Sequence, residues 1–502
     1  MKILVYDPLS LLTKHSWQVL KLCNTLVSQG AFVTVVRCKS AVNFCTIMEY
    51  KGLNPDSSLL EKSEICNKCV GHSKQLMRSA KSGIEYDAIE QTKQFHDTYN
   101  NYVVDSFYEP ILKFKKINSE IYEEEKIYFR ESSKTFESAY REGIRLNEKI
   151  RPDFAIVYSP QYSINSGFCK SAETLKIPVL FVEGSSSPYN RYSAIRIWNW
   201  EKNGLSSAIA KKEDYAVAKI NFRSILHFYI IKKGLSHSSY SVPKNDNNLK
   251  TVYNIPPGNK VLVAVLSSSD EVFSASVINK MSTDRLSTKV FRDQFEWITQ
   301  TIRHLEDLSD VSLIIRIHPR EFSNNREQFV SEAYQRWEEM SKRVTANVFW
   351  DLPTEDHSLY DLLDCSDVVI TGWSSVALEA LYLKIPVVTY DEALSGLPRS
   401  LVHTGNSKQE YLSNIHKALK EKKNLNNRIR VLRYISFRDF DNTYNVGGVS
   451  YGAPIFVIFP KLKRLYEVLY SKSSSEMKCF LNRVMNRTKN KRDLLELLRR
   501  CL

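Results

Sequence analysis

Apolar and polar positions follow two rhythms along the chain, and the changes between them mark its elements. Ile3-Leu4-Val5-Tyr6 is a short continuous apolar run, and residues 7–14 read as a loop. Trp17, Leu20, Leu22, Leu26 and Val27 give a helix one apolar side, ending near Gly30. Phe32-Val33-Thr34-Val35-Val36 is β-branched and continuous, as a parallel strand covered on both faces would be. Strand, helix and strand at this spacing open a Rossmann-like α/β domain. Residues 100–150 are dense in Glu, Lys, Tyr and Phe, interrupted by Pro110, and predict long helices. Strands return at residues 154–158 and 178–182, with a helix over 163–175 between them.

A second alternation follows. Apolar runs at residues 261–266, 312–317, 348–350, 368–370 and 386–390 predict strands. Helices are expected near 290–307, 358–364 and 376–383. Between the two alternations, residues 234–258 are rich in Ser, Asn, Pro and Gly and form the natural linker. The expected organisation is a Rossmann-like domain over 1–233 with a helical, cysteine-containing insertion, a linker over 234–258, and a second Rossmann-like domain over 259–460. A helical basic tail over 461–502 completes it. Two such halves leave a cleft between them, a common place for a ligand.

Composition narrows this picture. Hydrophobic residues make up 43% of the 502 positions and charged residues 25%, which excludes wholesale disorder. The net charge of +14 invites a nucleic-acid reading, but Lys and Arg are interspersed with Asp and Glu. Residues 476–502 hold eight basic and three acidic side chains and so carry +5 of that total. No compact basic-aromatic module is visible, so the charge points to a membrane surface or an anionic substrate before nucleic acid. No run approaches the ~18 apolar residues of a spanning helix, and the N-terminus lacks a signal-peptide pattern. A cytoplasmic protein is expected. The nine cysteines, an odd number, fit reduced thiols.

The candidate chemistry gathers where apolar strands end. Arg316-Ile317-His318-Pro319-Arg320-Glu321 follows one strand, and Thr371-Gly372-Trp373-Ser374-Ser375 follows another. Ligands of open parallel sheets bind at such edges. Ser374 and Ser375 open the helix that begins at Val376, where hydroxyls and free N–H groups favour a phosphate. His318 could donate a hydrogen bond to that phosphate or act as a general acid on its departing oxygen. The bland readings are an N-cap and a His-Pro turn.

These residues carry a family resemblance. Residues 316–321, residues 367–375, Glu379-Ala380 and Ile385-Pro386-Val387-Val388 resemble the C-terminal domain of GT-B glycosyltransferases, above all those of bacterial capsule and surface-polysaccharide synthesis. Transferases of CMP-activated sialic or octulosonic acids carry a similar His-Pro and Ser-Ser pair, as do teichoic-acid polymerases that use CDP-glycerol. The resemblance covers about residues 260–400 well, and the N-terminal half in layout alone. It implies that His318, Ser374 and Ser375 bind the donor phosphate and that Glu379 reaches the ribose. Arg316 or Arg320 would neutralise phosphate charge, unless each is paired with a carboxylate such as Glu321. Ser268 and Ser269 would line the cleft or cap a helix.

GT-B enzymes hold the acceptor on the N-terminal domain. Glu183 ends the strand at residues 178–182 and precedes Gly184-Ser185-Ser186-Ser187, where it could take a proton from an acceptor hydroxyl. Similar CMP-sugar enzymes place an acid before a glycine there. His15, in the first strand-to-helix connection, is a second candidate base. The expected activity is transfer of a nonulosonic or octulosonic acid from a CMP-activated donor to a glycan or lipid-linked glycan, with no catalytic metal. The alternatives are a CDP-polyol phosphotransferase, a UDP- or GDP-sugar transferase, and a non-catalytic GT-B scaffold.

Two features stand apart from that site. Cys38, Cys45, Cys66 and Cys69 lie within 32 residues and could hold a structural zinc, with His72 as a substitute ligand. Their plain alternative is four reduced thiols. In the tail, Met477, Phe480, Leu481, Val484 and Met485 alternate with Lys478, Arg483 and Arg487, the pattern of a basic helix lying on a membrane or packed on the domain.

Overall fold

The computed structural model describes residues 1–90, 102–199, 212–232, 247–277 and 290–446, apart from 307, 325–327, 344, 356, 391–394 and 442. The basic tail and most of the linker lie outside the described residues. The strands are β1 (Lys2–Tyr6), β2 (Phe32–Cys38), β3 (Ile84–Ile89), β4 (Phe154–Tyr158), β5 (Val179–Gly184), β6 (Ala194–Asn199), β7 (Lys260–Val265), β8 (Val311–Arg316), β9 (Val348–Asp351), β10 (Val368–Thr371), β11 (Val387–Thr389), β12 (His403–Thr404) and β13 (Tyr444–Asn445).

They form two sheets, ordered β13-β6-β5-β4-β1-β2-β3 and β12-β11-β10-β7-β8-β9. The second is parallel throughout. In the first, β3, β2, β1, β4 and β5 are parallel, while β6 runs antiparallel to β5 and β13 antiparallel to β6. Each parallel set runs outward from a central pair in the Rossmann order. The architecture is α/β with two Rossmann-like domains, as expected from the sequence. Continuous apolar strands are needed because both faces are covered. Ile3 and Val5 enter one core while Leu4 and Tyr6 enter the opposite one. Val261 and Val263 are separated in the same way from Leu262 and Ala264.

Helices pack on these faces. Those that position functional residues are α1 (Thr13–Ser28), α2 (Thr46–Tyr50), α3 (Leu59–Arg78), α4 (Tyr108–Phe114), α5 (Lys126–Ile150) and α6 (Ser163–Thr174) in the first domain. In the second they are α7 (Ser269–Val277), α8 (Gln294–Leu305), α9 (Leu359–Cys365) and α10 (Val376–Tyr382). The long helical region expected over 100–150 is therefore broken between α4 and α5. The intervening segment crosses to the second domain: the buried Lys115 donates to Phe322 O at 3.0 Å, and Lys116 Nζ meets Glu332 at 2.8 Å.

The chain also returns from the second domain to the first. Asn190 donates to Asp439 O at 2.8 Å, and β13 pairs with β6, so Tyr444 and Asn445 complete the first sheet. By sequence position alone those residues fall in the second domain.

Candidate functional site

Strand order reverses in each sheet at one point, where the loops beyond two neighbouring strands diverge and leave a crevice. In the second domain that point lies between β7 and β10. A clasp joins the two loops there: Ser267 Oγ donates to Trp373 O at 2.6 Å and accepts from Trp373 N at 3.1 Å. Gln294, at the start of α8, holds the same loop, with its Oε1 2.8 Å from Ser267 N and its Nε2 3.0 Å from Ser267 O. Gly372 is required by close packing, because a Cβ there would lie 2.6 Å from the Tyr390 hydroxyl.

Ser374 and Ser375 stand at the mouth of this crevice. Ser374 Oγ accepts from Val376 N at 3.3 Å, while Ser375 is exposed and its hydroxyl makes no cap bond to α10. His318 follows β8, the next strand along. Its Nδ1 accepts from Arg320 N at 3.2 Å, which places the ring proton on Nε2. Burial, reinforced by Arg320, Arg316 and Lys115, pushes the imidazole down to about 3. As it stands, His318 is a neutral hydrogen-bond donor and not a charged acid.

Several residues expected at the phosphate are engaged elsewhere. Arg316 is bound to Asp351 at 2.5 Å and donates to His357 O at 3.1 Å. Arg320 is buried, bound to Asp270 at 2.8 Å, and donates across the domain boundary to Leu112 O at 2.7 Å. Neither arginine pairs with Glu321, whose carboxylate instead accepts from Ser269 N at 2.8 Å. Ser268 Oγ donates to Asp270 at 2.5 Å, and Ser269 Oγ accepts from Gln294 at 3.2 Å. Glu379 does not reach outward to a ribose: it is buried and takes a hydrogen bond from the Tyr360 hydroxyl of α9. Burial raises its carboxyl to about 7, partly offset by that bond.

At the first domain's reversal point, between β1 and β4, the residues are aromatic. His15 Nδ1 lies 2.6 Å from the Tyr158 hydroxyl, and its ring stands 5.6 Å from that of Tyr192. Burial, then Arg191 and Lys14, lower His15 to about 4, so it too is neutral. Glu183, next to last in β5, pairs in register with Arg196 of β6, their side chains 3.3 Å apart. Burial raises its carboxyl above the usual range despite Arg196 and Arg191. Gly184 lets the following turn approach, since a Cβ there would collide with the Arg191 carbonyl oxygen.

The structure thus groups His15 and Glu183 with Tyr158 and Tyr162, whose hydroxyls both feel the Glu183 charge. Tyr108 on α4 feels Glu183 of the first domain and Glu271 of the second, and so stands between the two halves. Sequence reasoning missed these tyrosines. Tyr158 closes a strand, and the same strand-edge rule that singled out Glu183 could have found it.

The four cysteines also come together. Cys38, Cys45, Cys66 and Cys69 line one apolar cavity between β2, α2 and α3, whereas His72 is not part of its wall. All seven described cysteines are free. Among the described residues, the group whose ligand atoms lie close enough to share a cation is Asp351, Glu355 and His357. The Tyr253 hydroxyl lies 2.9 Å from Asp351 and 3.0 Å from His357, so this cluster braces Arg316. None of the described helices is long and apolar enough to cross a membrane.

No family model and no curated protein matches the sequence. Among solved structures, the UDP-GlcNAc 2-epimerase of Methanocaldococcus jannaschii, in complex with UDP-GlcNAc and UDP, is 12% identical over 92% of this chain and 100% of its own, with a TM-score of 0.30. KpsC of Thermosulfurimonas dismutans, a β-Kdo 2,4 transferase, is 12% identical over 56% and 79%, with a TM-score of 0.32. The spinosyn rhamnosyltransferase SpnG is 12% identical over 87% and 96%, with a TM-score of 0.26. The fold assignment rests on the two strand orders themselves.

Proposed function

We propose that the protein is a glycosyltransferase of surface-polysaccharide synthesis, and that it moves a nonulosonic or octulosonic acid from a CMP-activated donor to a glycan hydroxyl. The observation that supports this reading is the pairing of two unlike crevices, one with hydroxyls and a neutral imidazole donor, the other with a carboxylate among aromatic rings. His318 Nε2–H, Ser374 and Ser375 would hold the donor phosphate by hydrogen bonds. Glu183 would take the proton from the acceptor hydroxyl as its oxygen attacks the anomeric carbon. The bond from that carbon to the phosphate oxygen breaks, and CMP leaves with the electron pair. Inversion is the simpler outcome. The tyrosines around His15 offer faces on which an acceptor sugar ring can lie. Under this reading the basic tail meets the inner face of the membrane, where a lipid-linked acceptor would be held.

A thermal-shift panel of CMP, CDP, UDP and GDP on wild type and His318→Ala tests the reading. CMP should stabilise wild type most and lose its effect in the variant. A preference for UDP would overturn the donor, and no response to any nucleotide would favour a scaffold. A phosphodiester product in place of a glycosidic bond would overturn the reaction. Unchanged membrane fractionation after truncation before Glu476 would remove the membrane role.

A further inference from the structure

We propose that Cys38, Cys45, Cys66 and Cys69 form a binding site for a soft, thiolate-seeking cation, with Zn2+ as the expected occupant. Three separate segments deliver the four sulfurs: the end of β2, the residue before α2, and one face of α3. The helix is held in place by a capping box, in which Glu61 N donates to Ser58 Oγ at 3.3 Å and Ser58 N donates to Glu61 at 2.9 Å. Cys66 and Cys69, three residues apart on it, therefore face the same way. The cavity they reach has about 20 Å3 of free space, room for a single ion or water. Four of its thirteen lining residues are cysteine, in a chain with nine among 502, so general composition does not explain the clustering.

The rest of the wall suits a thiolate-bound cation. Leu9, Val42, Ile47 and Ile164 keep water away and offer no competing ligand. Backbone N–H groups reach three of the four sulfurs: Ser40 and Ala41 at Cys38, Ile47 and Met48 at Cys45, Ser10 and Leu11 at Cys69. The Ala41 N–H is 3.4 Å from Cys38 Sγ. Such donors orient and tune thiolate ligands.

Zinc at its usual bond length would hold four sulfurs about 3.8 Å apart. In the structure they are spread wider: among the described residues no three cysteine sulfurs lie within 4.8 Å of one another. Uptake therefore draws the side chains inward. Because Cys69 faces Ser10 and Leu11, the cation would pin α3 to the loop that leads into His15. Its role is structural, at a distance from the transfer site.

The test uses the untagged full chain, purified anaerobically, stripped with a chelator and titrated with Co2+ and then Zn2+. Thiolate-to-cobalt charge-transfer absorption should saturate at one equivalent and be displaced by Zn2+. The double variant Cys66→Ser/Cys69→Ser should lose it, and Cys365→Ser should keep it. Absence of the absorption in wild type would overturn the site, as would its survival in the double variant. A disulfide among the four cysteines in the anaerobic protein would do the same. The wild-type spectrum decides the matter even where the double variant does not fold.

Discussion

The two domains share one strand order yet furnish their crevices differently. In the second, charged residues at the strand ends are consumed in buried partnerships, Arg320 with Asp270, Arg316 with Asp351, and Glu379 with Tyr360. Among the described residues, the second domain's strand ends also carry uncharged groups, serine hydroxyls and an imidazole held neutral. In the first, the rings of His15, Tyr158 and Tyr192 gather, and one half-buried carboxylate, Glu183, lies 3.3 Å from Arg196. A rigid, charge-balanced frame suits binding an anion through hydrogen bonds. A carboxylate with a raised pKa among aromatic rings suits taking a proton from a sugar hydroxyl.

The largest effect should follow from removing that carboxylate. Glu183→Gln should lower kcat by about 10²–10⁴-fold while leaving the CMP thermal shift intact. A variant that loses nucleotide binding in parallel would erase the division of labour between the crevices.

Next is the frame. Arg320→Ala removes the guanidinium that neutralises the buried Asp270 and should cost about 3–5 kcal/mol in denaturant unfolding. Replacing both residues by apolar ones of similar volume should recover much of the loss. If Arg320→Ala instead weakened CMP binding at unchanged stability, the arginine would belong to the ligand after all.

Glu379 tests the frame through pH. Its folded pKa of about 7 lies above the unfolded value, so the folded state binds the extra proton between the two. That contribution is fully present below the unfolded pKa and is lost as pH rises through 7. Glu379→Gln should therefore gain stability relative to wild type between pH 5 and 8, by up to about 3 kcal/mol. Parallel stability profiles would mean that the carboxyl is ionised when buried.

The smallest expected change is steric. Gly372→Ala pushes a methyl against Tyr390 and should cost about 1–3 kcal/mol, together with a weaker CMP response as the loop before Ser374 shifts. An unchanged nucleotide response would show that this loop tolerates displacement.

Much of this architecture was legible because parallel strands buried on both faces must be continuous apolar runs. β1, β2, β4, β5 and β7–β11 all announce themselves in that way. The missed strands break the rule for physical reasons. β3 is an edge strand with Glu85 and Asp87 in its middle, β6 carries Arg196 where it faces Glu183, and β12 and β13 have two residues each. His318, Ser374 and Ser375 were singled out because strand ends are where such sheets bind ligands, a rule that needs only order along the chain.

Side-chain partnership obeys no such rule. Arg316, Arg320 and Glu379 looked like ligand contacts, and their true partners lie 35, 50 and 19 residues away. The sequence alone determined the two-domain α/β plan, the positions of the strand ends and the spacing of the four cysteines. Only the tertiary structure decided which charges are neutralised, which thiols share a cavity, and that Tyr444 and Asn445 close the first sheet. Periodicity records how each element meets its sheet. Pairing between distant side chains depends on where folded elements finally pack, and that is not encoded in any local pattern.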